Sequence, residues 1–427
     1  MRLRTTLDRG ISAVETACFA AREKLQTGLL YDPTRPSFRA DPYPRYRVLR
    51  ERDPIHRSFA AGGWILSRYS DVVAVLRDPA FSSDERHWRR YRVVRARNAR
   101  LGLPDPYESE RASMLRVDPP DHTRLRNLIS KAFTPRAVER MRPRVEAILK
   151  ELLAPFGTSG RFELVRDLAS PLPVTVIAEM LGVPTEDRER FRHWSDEVIR
   201  SLGDSTPEDL VCSVRAMEEL GEYLVEIAEM RRRDPRPDLL SALVAAEEAG
   251  DKLSPGELAT MGVLLLVAGN ETTTNLIANG TLALLRNPDQ LERLRREPEL
   301  VPNAVEELLR YDSPVQLTSR LVREDLELRG HRFRRGEQLV LLLGAANRDP
   351  EAFPDPDRLD VARENVRHLS FGHGIHFCLG AQLARLEGAL ALRALLARFP
   401  NLALGSEPVE WRPNTVLRGP KALELSY

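Results

Sequence analysis

The sequence is poor in cysteine and in long apolar runs, and it lacks an excess of charge of either sign. Three cysteines, Cys18, Cys212 and Cys378, are spread over 427 residues, which argues against a disulfide framework. Lys+Arg is 64 and Asp+Glu is 63, so the chain lacks the basic excess that a dedicated nucleic-acid binder needs. The longest apolar runs, Met261–Gly269 and Leu339–Ala346, fall short of the ~20 residues that span a bilayer. We therefore expect a cytoplasmic protein that binds neither nucleic acid nor membrane.

The spacing of apolar residues predicts a mainly helical fold with a minor β component, in one large domain. Ser254-Pro255-Gly256-Glu257 forms a capping-box pattern, and no breaker follows until Asn287-Pro288. This pattern predicts a helix of ~33 residues, ~50 Å long, that crosses the interior. Residues 55–59 and 64–66 predict a hairpin, and residues 317–343 predict a small second sheet.

Seven arginines lie between residues 86 and 100: Arg86, Arg89, Arg90, Arg92, Arg95, Arg97 and Arg100. We interpret this stretch as a solvated loop or helix face. An entrance that binds an acidic ligand is the alternative interpretation.

The segment Phe371-Gly372-His373-Gly374-Ile375-His376-Phe377-Cys378-Leu379-Gly380 carries the most chemical information. Its glycines permit a tight turn and a close approach of a flat ligand. An apolar-periodic helix begins directly after Cys378, and its free amides and dipole would stabilise a thiolate there. The segment therefore fits a thiolate ligand to a metal centre with room for a macrocycle.

Three other interpretations of this segment compete. A buried structural cysteine is the common fate of a free thiol, but it leaves the glycines unexplained. A zinc site of His373, His376 and Cys378 lacks a nearby fourth ligand and matches no common spacing. A nucleophilic Cys378 with His376 as its base lacks an orienting group.

The segment resembles the pattern Phe-Gly-x-Gly-x-His-x-Cys-x-Gly of the cytochrome P-450 family of haem-thiolate monooxygenases, and every fixed position matches. The resemblance implies heme b as cofactor, Cys378 as its iron ligand, and His376 at a haem propionate. Further cofactor contacts implied by the pattern are Phe371, Gly372 and Gly380. A thiolate ligand favours O–O cleavage more than a neutral histidine does.

A polar island, Ala268-Gly269-Asn270-Glu271-Thr272-Thr273-Thr274, interrupts the predicted long helix. It resembles the family's Ala-Gly-x-Asp/Glu-Thr motif, which implies that Ala268 and Gly269 border the haem. By the same resemblance, Thr272 supports bound dioxygen and Glu271 relays protons. The structural alternative is that the threonines bond the helix backbone and that Glu271 reaches solvent or an arginine.

Further motifs follow the family order along the chain. Glu307-Leu308-Leu309-Arg310 resembles the Glu-x-x-Arg signature, and the resemblance implies that Arg358 joins this pair in a structural triad. His122 and Arg126 share a helix face and resemble the family's propionate-binding pair; Arg320 matches a further propionate ligand. Without these other motifs, the cations would be read equally well as solvated basic residues.

The resemblance covers residues 31–427 as one monooxygenase domain and leaves residues 1–30 as an N-terminal extension. It implies a triangular, mainly helical prism with a small β-rich side, and we expect a monomer. No flavin domain fits beside it, so a ferredoxin or flavodoxin with an NAD(P)H-dependent reductase would supply electrons. Docking would use the Cys378 side, with Arg124, Lys131 and Arg385 as positive groups.

The predicted reaction is oxidation of an apolar small molecule, such as a secondary metabolite, terpenoid, steroid, polyketide or fatty acid, by dioxygen. A peroxide-driven peroxygenase and a non-catalytic haem sensor are the alternatives, and an acid beside a hydroxyl argues against both. By resemblance, the substrate pocket is lined by the following residues: Leu266, Val267, Leu317, Thr318, Thr415, Val416 and Leu417.

Overall fold

The computed structural model describes residues 18–59, 61–105, 107, 113–199, 206–248 and 253–427. Residues 1–17 of the predicted N-terminal extension lie outside these ranges. The helices are α1 (residues 18–27), α2 (Pro36–Ala40), α3 (Tyr43–Arg52), α4 (Tyr69–Arg77), α5 (Tyr91–Arg100), α6 (Asp121–Ser130), α7 (Pro135–Glu139), α8 (Arg142–Leu153), α9 (Pro171–Leu181), α10 (Arg188–Ile199), α11 (Pro207–Arg233), α12 (Leu239–Glu248), α13 (Pro255–Arg286), α14 (Pro288–Arg296), α15 (Val301–Tyr311), α16 (Leu343–Ala346) and α17 (Ala381–Arg398).

The strands are short and form a minor part of the fold. They are β1 (Ile55–Ser58), β2 (Gly63–Leu66), β3 (Phe81–Ser82), β4 (Arg161–Glu163), β5 (Leu317–Val322), β6 (Leu326–Leu328), β7 (His331–Phe333), β8 (Gln338–Leu342), β9 (Ala403–Leu404) and β10 (Glu424–Ser426). The main sheet has the order β1-β2-β8-β5-β3, and smaller sheets have the orders β4-β10-β9 and β6-β7. The expected mainly helical architecture with minor β structure is confirmed.

The long central helix is confirmed with its predicted ends. Ser254 accepts a hydrogen bond from the Glu257 amide, and the Glu257 carboxylate accepts one from the Ser254 amide, so both halves of the capping box are present. The helix runs for 32 residues to Arg286, and Asn287 caps it. Its middle is buried among α9, α10, α11 and α17, which share the largest hydrophobic core.

The predicted second sheet around residues 317–343 is wrong in its pairing. The hairpin β1–β2 forms as predicted, but β2 also pairs in parallel with β8, Ile65 opposite Val340. Strand β5 pairs with β8 in the same sheet, and only β6 and β7 form a separate hairpin. Local periodicity identifies strands but carries no information on pairing between residues ~270 positions apart, which is why the prediction failed.

Two features of the fold set the position of the chemistry. Helix α17 packs against α13, with Gly388 of α17 against Leu276 of α13. Strand β5 of the main sheet carries Arg320. Helix α6 begins at Asp121, after the segment that follows β3. Among the described residues, no helix is both long enough and apolar enough to cross a bilayer.

Candidate active site

Cys378 lies three residues before α17, at the end of a hydrogen-bonded loop. The Cys378 amide donates to the Phe371 carbonyl at 2.9 Å, and this bond closes the loop on itself. The thiol is exposed on one side, but protein atoms surround it on the others, and this burial raises the pKa of Cys378. The Gly380 amide and the charges of Arg126 and Arg385 oppose the rise. The Gly380 amide therefore acts on the pKa in the predicted direction, but burial outweighs it in the free thiol.

The glycines of the loop are there for two different reasons. Gly372 and Gly374 have φ angles of +69° and +73°, which L side chains rarely adopt, and a Cβ on Gly374 would collide with the Leu76 carbonyl. A Cβ on Gly380 would meet no atom within 4 Å, and the same is true of Gly269 on α13. Backbone conformation thus requires the first pair, whereas the second pair borders open space, where a flat ligand can approach.

Four basic side chains converge beside this loop. His122 on α6 and His376 in the loop have ring centroids 4.3 Å apart, and Arg126 donates to the Phe377 carbonyl at 2.7 Å. Arg320 is 7% exposed, and its guanidinium donates to the Ser319 carbonyl at 2.8 Å. The sequence placed these residues up to 254 positions apart, and the structure brings them together.

The electrostatics of this cluster call for an anion. Burial lowers the pKa of Arg320 to about 10, with the charge of Asp118 opposing the shift. Burial, then Arg320, His122 and Arg126, lower the pKa of His376 to about 3. Both ring nitrogens of His122 and Nε2 of His376 are buried without a hydrogen-bond partner. Unpartnered buried donors are costly, so the cluster fits a ligand that brings negative charge and acceptor oxygens.

A haem with its two propionates meets each of these requirements. Cys378 would supply a thiolate ligand to the iron, and His122, Arg126, Arg320 and His376 would bind the propionates. The residues present therefore fit the predicted cofactor, although each contact stays a prediction.

The zinc and nucleophile interpretations of the loop find no support in the geometry. Over the described ranges, no group of three or more His, Cys, Asp or Glu side chains is placed to hold a metal ion. His376, with its pKa lowered to about 3, is too weak a base to activate Cys378.

On α13, the polar island divides between two faces. Ala268 and Thr272 are one turn apart and face open space, and the Thr272 hydroxyl donates to the Ala268 carbonyl at 2.7 Å. Glu271 is 5% exposed, and on a regular helix it lies about 100° from Thr272. These are the partners that the purely structural interpretation expects, so the relay role of the two side chains stays a prediction.

Glu271 has neighbours that sequence reasoning missed. Its Oε1 lies 3.3 Å from Nε of Arg412 and 3.5 Å from Nδ2 of Asn275. Burial raises the pKa of Glu271; Arg412 and Asn275 oppose the rise, and the nearby Asp196 adds to it. Asn275, one turn along the helix, could have been found from its spacing, whereas Arg412 comes from the C-terminal region and left no local signal.

The buried ion pair Glu307–Arg310 is present, but its predicted third member is wrong. Arg310 bonds both carboxylate oxygens of Glu307, at 2.7 and 2.8 Å, and both side chains are fully buried. Arg363 completes the cluster with 3.1 Å contacts from Nε to both oxygens. Arg358 instead reaches Asp360, and its side chain is 65% exposed. Arg358 contributes its backbone carbonyl, which accepts from Arg310, because the turn directs the chain inward and the side chain outward.

The predicted pocket residues separate into two groups. The 415–417 segment lies against the start of β5, since Leu417 bridges Val315 and the Gln316 amide donates to the Val416 carbonyl at 2.8 Å; Leu317, Thr318 and Thr415 are half-buried there. On α13, Val267 is half-buried, but Leu266 is wrong, because it is fully buried in the main core. Leu264 lies four residues before Ala268 and eight before Thr272, so all three are on one face of the helix. Leu266 lies about 200° from Leu264 around the helix axis and therefore faces away from them.

Two of the three predicted docking cations already have carboxylate partners. Arg124 pairs with Glu257, and Arg385 bonds both oxygens of Glu306 at 2.6 and 2.9 Å. Burial would raise the pKa of Glu306, but His368 and Arg385 hold it at about 2. Lys131 is exposed, and its role in docking stays a prediction.

Comparison with known proteins identifies the family. The sequence profile described as Cytochrome P450 matches residues 87–426. The chain is a cytochrome P450. It is 45% identical to cytochrome P450 monooxygenase PikC of Streptomyces venezuelae over 399 residues, 91% of this chain and 92% of that protein. It is 43% identical to 6-deoxyerythronolide B hydroxylase of Saccharopolyspora erythraea over 390 residues, 90% and 95% of the two chains.

The solved structures confirm the cytochrome P450 fold. The polyketide synthase cytochrome P450 PksS of Bacillus subtilis superimposes with a TM-score of 0.84 at 40% identity, over 93% of this chain and 99% of that chain. This P450 is accordingly a monooxygenase of the haem-thiolate class, as the loop around Cys378 predicted.

Proposed function

We propose that this P450 inserts one oxygen atom from dioxygen into an apolar, polyketide-class metabolite with electrons from separate redox proteins. The balanced reaction converts a C–H bond, O2, two electrons and two protons into C–OH and H2O. The observation that supports it most is the packing of two helices against each other. Helix α17 begins just after Cys378, and helix α13 carries the buried Glu271 next to the Thr272 hydroxyl.

The cofactor we propose is heme b, with no flavin in this chain. When bound, the haem supplies the oxidising chemistry, and its thiolate ligand favours O–O cleavage. The chain's own contribution is to hold it: Cys378 at the metal, and His122, Arg126, Arg320 and His376 at the carboxylates. The propionates would supply acceptor oxygens for the unpartnered ring nitrogens of His122 and His376, and negative charge beside Arg126 and Arg320.

We assign Glu271 and Thr272 to proton delivery. The Thr272 hydroxyl borders open space and donates its proton to the Ala268 carbonyl, so its oxygen can accept a hydrogen bond at the reacting end and can donate one only after the hydroxyl rotates away from Ala268. Glu271 is buried, and its raised pKa lets it hold a proton nearer to neutral pH than a surface carboxyl does. Arg412, whose side chain is 29% exposed, connects Glu271 to the surface.

The substrate class rests on the lining and on the relatives. Leu264, Val267, Leu317 and Leu417 give the candidate pocket an apolar wall, which suits a reduced carbon skeleton. One of the compared proteins, PksS, is named as a polyketide synthase cytochrome P450. We therefore favour polyketides over the terpenoid, steroid and fatty-acid classes.

For the redox partner we propose a ferredoxin or flavodoxin that docks on the Cys378 side. Ile375 and Phe377 are 51% and 38% exposed there, and the exposed Lys131 supplies positive charge. Because Arg124 and Arg385 are held by Glu257 and Glu306, we expect them to contribute less than Lys131.

A three-way assay tests this function. The ferrous carbonyl adduct of the purified protein should show the absorption of a thiolate-ligated haem, and a histidine-ligated globin spectrum would overturn the proposal. Product should form with a surrogate ferredoxin, its reductase and NADPH, with one atom of labelled dioxygen in the product. Turnover with peroxide alone would instead establish a peroxygenase, and binding without turnover under either condition would establish a sensor.

A further inference from the structure

Seven arginines lie on one exposed region formed by α1, the β1–β2 hairpin and the α5 segment. We call this region the arginine face: Arg22, Arg57, Arg89, Arg90, Arg92, Arg97 and Arg100. Between Arg86 and Pro104 the sequence holds no aspartate or glutamate, so α5 carries no counter-charge of its own. The solvated helix face predicted from the sequence is confirmed, since none of the residues of α5 is buried.

At the hairpin end, one carboxylate serves several arginines. Glu337 Oε1 lies 2.7 Å from Arg89 and 3.5 Å from Arg57, and the Glu337 carboxylate also accepts from Trp64. The guanidinium of Arg22 lies 4.4 Å from the centroid of the Phe59 ring, on the same hairpin. Burial lowers the pKa of Arg57, and the charge of Glu337 opposes this effect. The charges of Arg89, Arg90 and Arg22 lower the pKa further, so that it lies below its usual value. Positive charge is therefore in excess here.

Along α5 the excess continues. Arg95 is paired with Asp105 at 2.9 Å. Arg92, Arg97 and Arg100 are exposed and make no ion pair with any carboxylate in the described ranges. Val93, on the outward side of the helix, is 69% exposed. An apolar residue surrounded by unpaired arginines is a combination that protein interfaces favour.

The arginine face is connected to the candidate active site through two elements. The α5 segment runs from β3 to α6, and α6 carries His122 and Arg126 of the cofactor cluster. Glu337 directly precedes β8, which pairs with β5, the strand that carries Leu317, Thr318 and Arg320. A partner bound on this face would therefore rest on the elements that hold both cofactor and substrate.

We propose that the arginine face docks an acidic carrier protein, which presents the substrate as a tethered thioester. This inference rests on the proposed function, because polyketide-class chains are built on such carriers. From Arg89 to Arg100 the face extends ~16 Å along the chain at helical rise, which matches an acidic helix better than one small ion. Arginine is also the cation that binds carboxylates bidentately.

Other anionic occupants fit less well. A single carboxylate on a free substrate would engage one or two guanidiniums and leave the rest unused. A membrane surface would need bulky apolar anchors, and the outward side of α5 offers only Val93 among alanines and arginines. A nucleic acid would be favoured by stacking aromatics, whereas Phe59 and Trp64 are already covered by Arg22 and Arg57.

The test uses the haem-loaded protein and a fluorescently labelled holo acyl carrier protein as the probe. Binding is followed by anisotropy at several salt concentrations for the wild type and for R92E/R97E/R100E. The matched control is R215E/R286E/R296E, which makes the same change of charge at three exposed arginines in α11, α13 and α14. The ferrous carbonyl spectrum of each variant reports whether the haem site is intact.

We expect the α5 variant to bind the carrier about 10- to 100-fold more weakly, while the control variant binds like the wild type. Added salt should weaken wild-type binding and narrow this difference. Equal losses in both variants, or no binding by the wild type, would overturn the inference, and so would binding of anionic phosphatidylglycerol vesicles in place of the carrier. The carbonyl spectrum and the turnover of free substrate are measured separately from carrier binding. If only carrier binding fails, the docking inference is wrong and the proposed function stands. If the spectrum or the turnover fails, the proposed function itself is wrong.

Discussion

Glu271 of the central helix and Arg412 of the C-terminal region form a partly buried ion pair, with 3.3 Å between Oε1 and Nε. The carboxylate end is 6% exposed and the guanidinium end 29%, so the pair extends from the interior toward solvent. Asp196 lies close enough to raise the pKa of Glu271 further, and burial raises the pKa of Asp196 as well. We propose that these two carboxyls, with raised pKa values around one arginine, form a path along which a proton enters a dry site.

We expect Glu271→Gln to lower kcat of the reductase-driven reaction about 100-fold, because the glutamine cannot exchange a proton. Turnover driven by peroxide should fall much less, since peroxide already carries its protons. In Arg412→Gln, the loss of the cation raises the pKa of Glu271, so the limb of the kcat–pH profile that reports this group moves to higher pH.

Glu292→Gln and Arg393→Gln are the controls for these two variants, because both residues are exposed. They should leave kcat and its pH profile unchanged. Equal losses of reductase-driven and peroxide-driven turnover in Glu271→Gln would show that the residue only supports the fold.

The structure distinguishes Arg363 from Arg358 as the third member of the buried cluster. Arg363→Gln leaves Glu307 with one of its two arginines, and breaking a buried pair of this kind costs about 3–5 kcal/mol. We expect a marked fall in Tm and in haem content. Arg358→Gln removes a side chain that is 65% exposed and should change stability by no more than ~0.5 kcal/mol. Thermal unfolding and the haem-to-protein absorbance ratio measure both effects, and similar losses in the two variants would contradict the assignment.

Features encoded within a few residues could be predicted from the sequence. The capping box at Ser254 and Glu257 is a local hydrogen-bond exchange, and the helix it starts ends at the predicted Asn287. The loop before Cys378 is equally local, because positive φ angles at Gly372 and Gly374 follow from the need for a tight turn. Residue type and spacing determine such features, and tertiary packing does not override them.

Features that depend on distant parts of the chain could not be predicted. Arg358 and Arg363 lie in the same loop, and only the direction of each turn decides which guanidinium reaches Glu307. Arg412 is 141 positions from Glu271, and nothing in its neighbourhood indicates a carboxylate partner. The prediction that Leu266 lines the pocket failed because this part of the long helix carries apolar residues all around its axis. The spacing of apolar residues therefore does not show which face packs into the core.

His56 ties α1 to the first hairpin through two carboxylates. Its Nε2 lies 3.0 Å from Glu23 and its Nδ1 lies 2.9 Å from Asp53. Burial lowers the pKa of His56, but the two carboxylates outweigh it and raise the pKa to about 9. A histidine pKa raised by folding stabilises the protein fully below about 6.5, and this stability is lost as the pH rises through about 9.

In His56→Gln we therefore expect a Tm several degrees lower at pH 6 and a smaller difference from the wild type at pH 10. Differential scanning calorimetry across this range measures the change. His87→Gln, at a half-buried histidine, is the control for replacing a histidine by glutamine and should lower the Tm at pH 6 less than His56→Gln does. A pH-independent offset in His56→Gln would show that His56 is not charged in the folded protein.

Arg320 offers the sharpest test of the cofactor site, because its role there is charge recognition. It is 7% exposed, and Asp118 is the acidic group whose charge acts on its pKa. A charge-assisted hydrogen bond is worth about 1.5–3 kcal/mol, so Arg320→Leu should release haem to apomyoglobin about 10- to 100-fold faster than the wild type.

The decisive comparison uses haem dimethyl ester, which has no carboxylates. The wild type should retain haem far better than the ester, whereas Arg320→Leu should lose most of this preference. Arg323→Leu, at an exposed arginine just beyond the same strand, should keep it. If Arg320→Leu still discriminated fully between the two cofactors, the propionates would have to be held elsewhere.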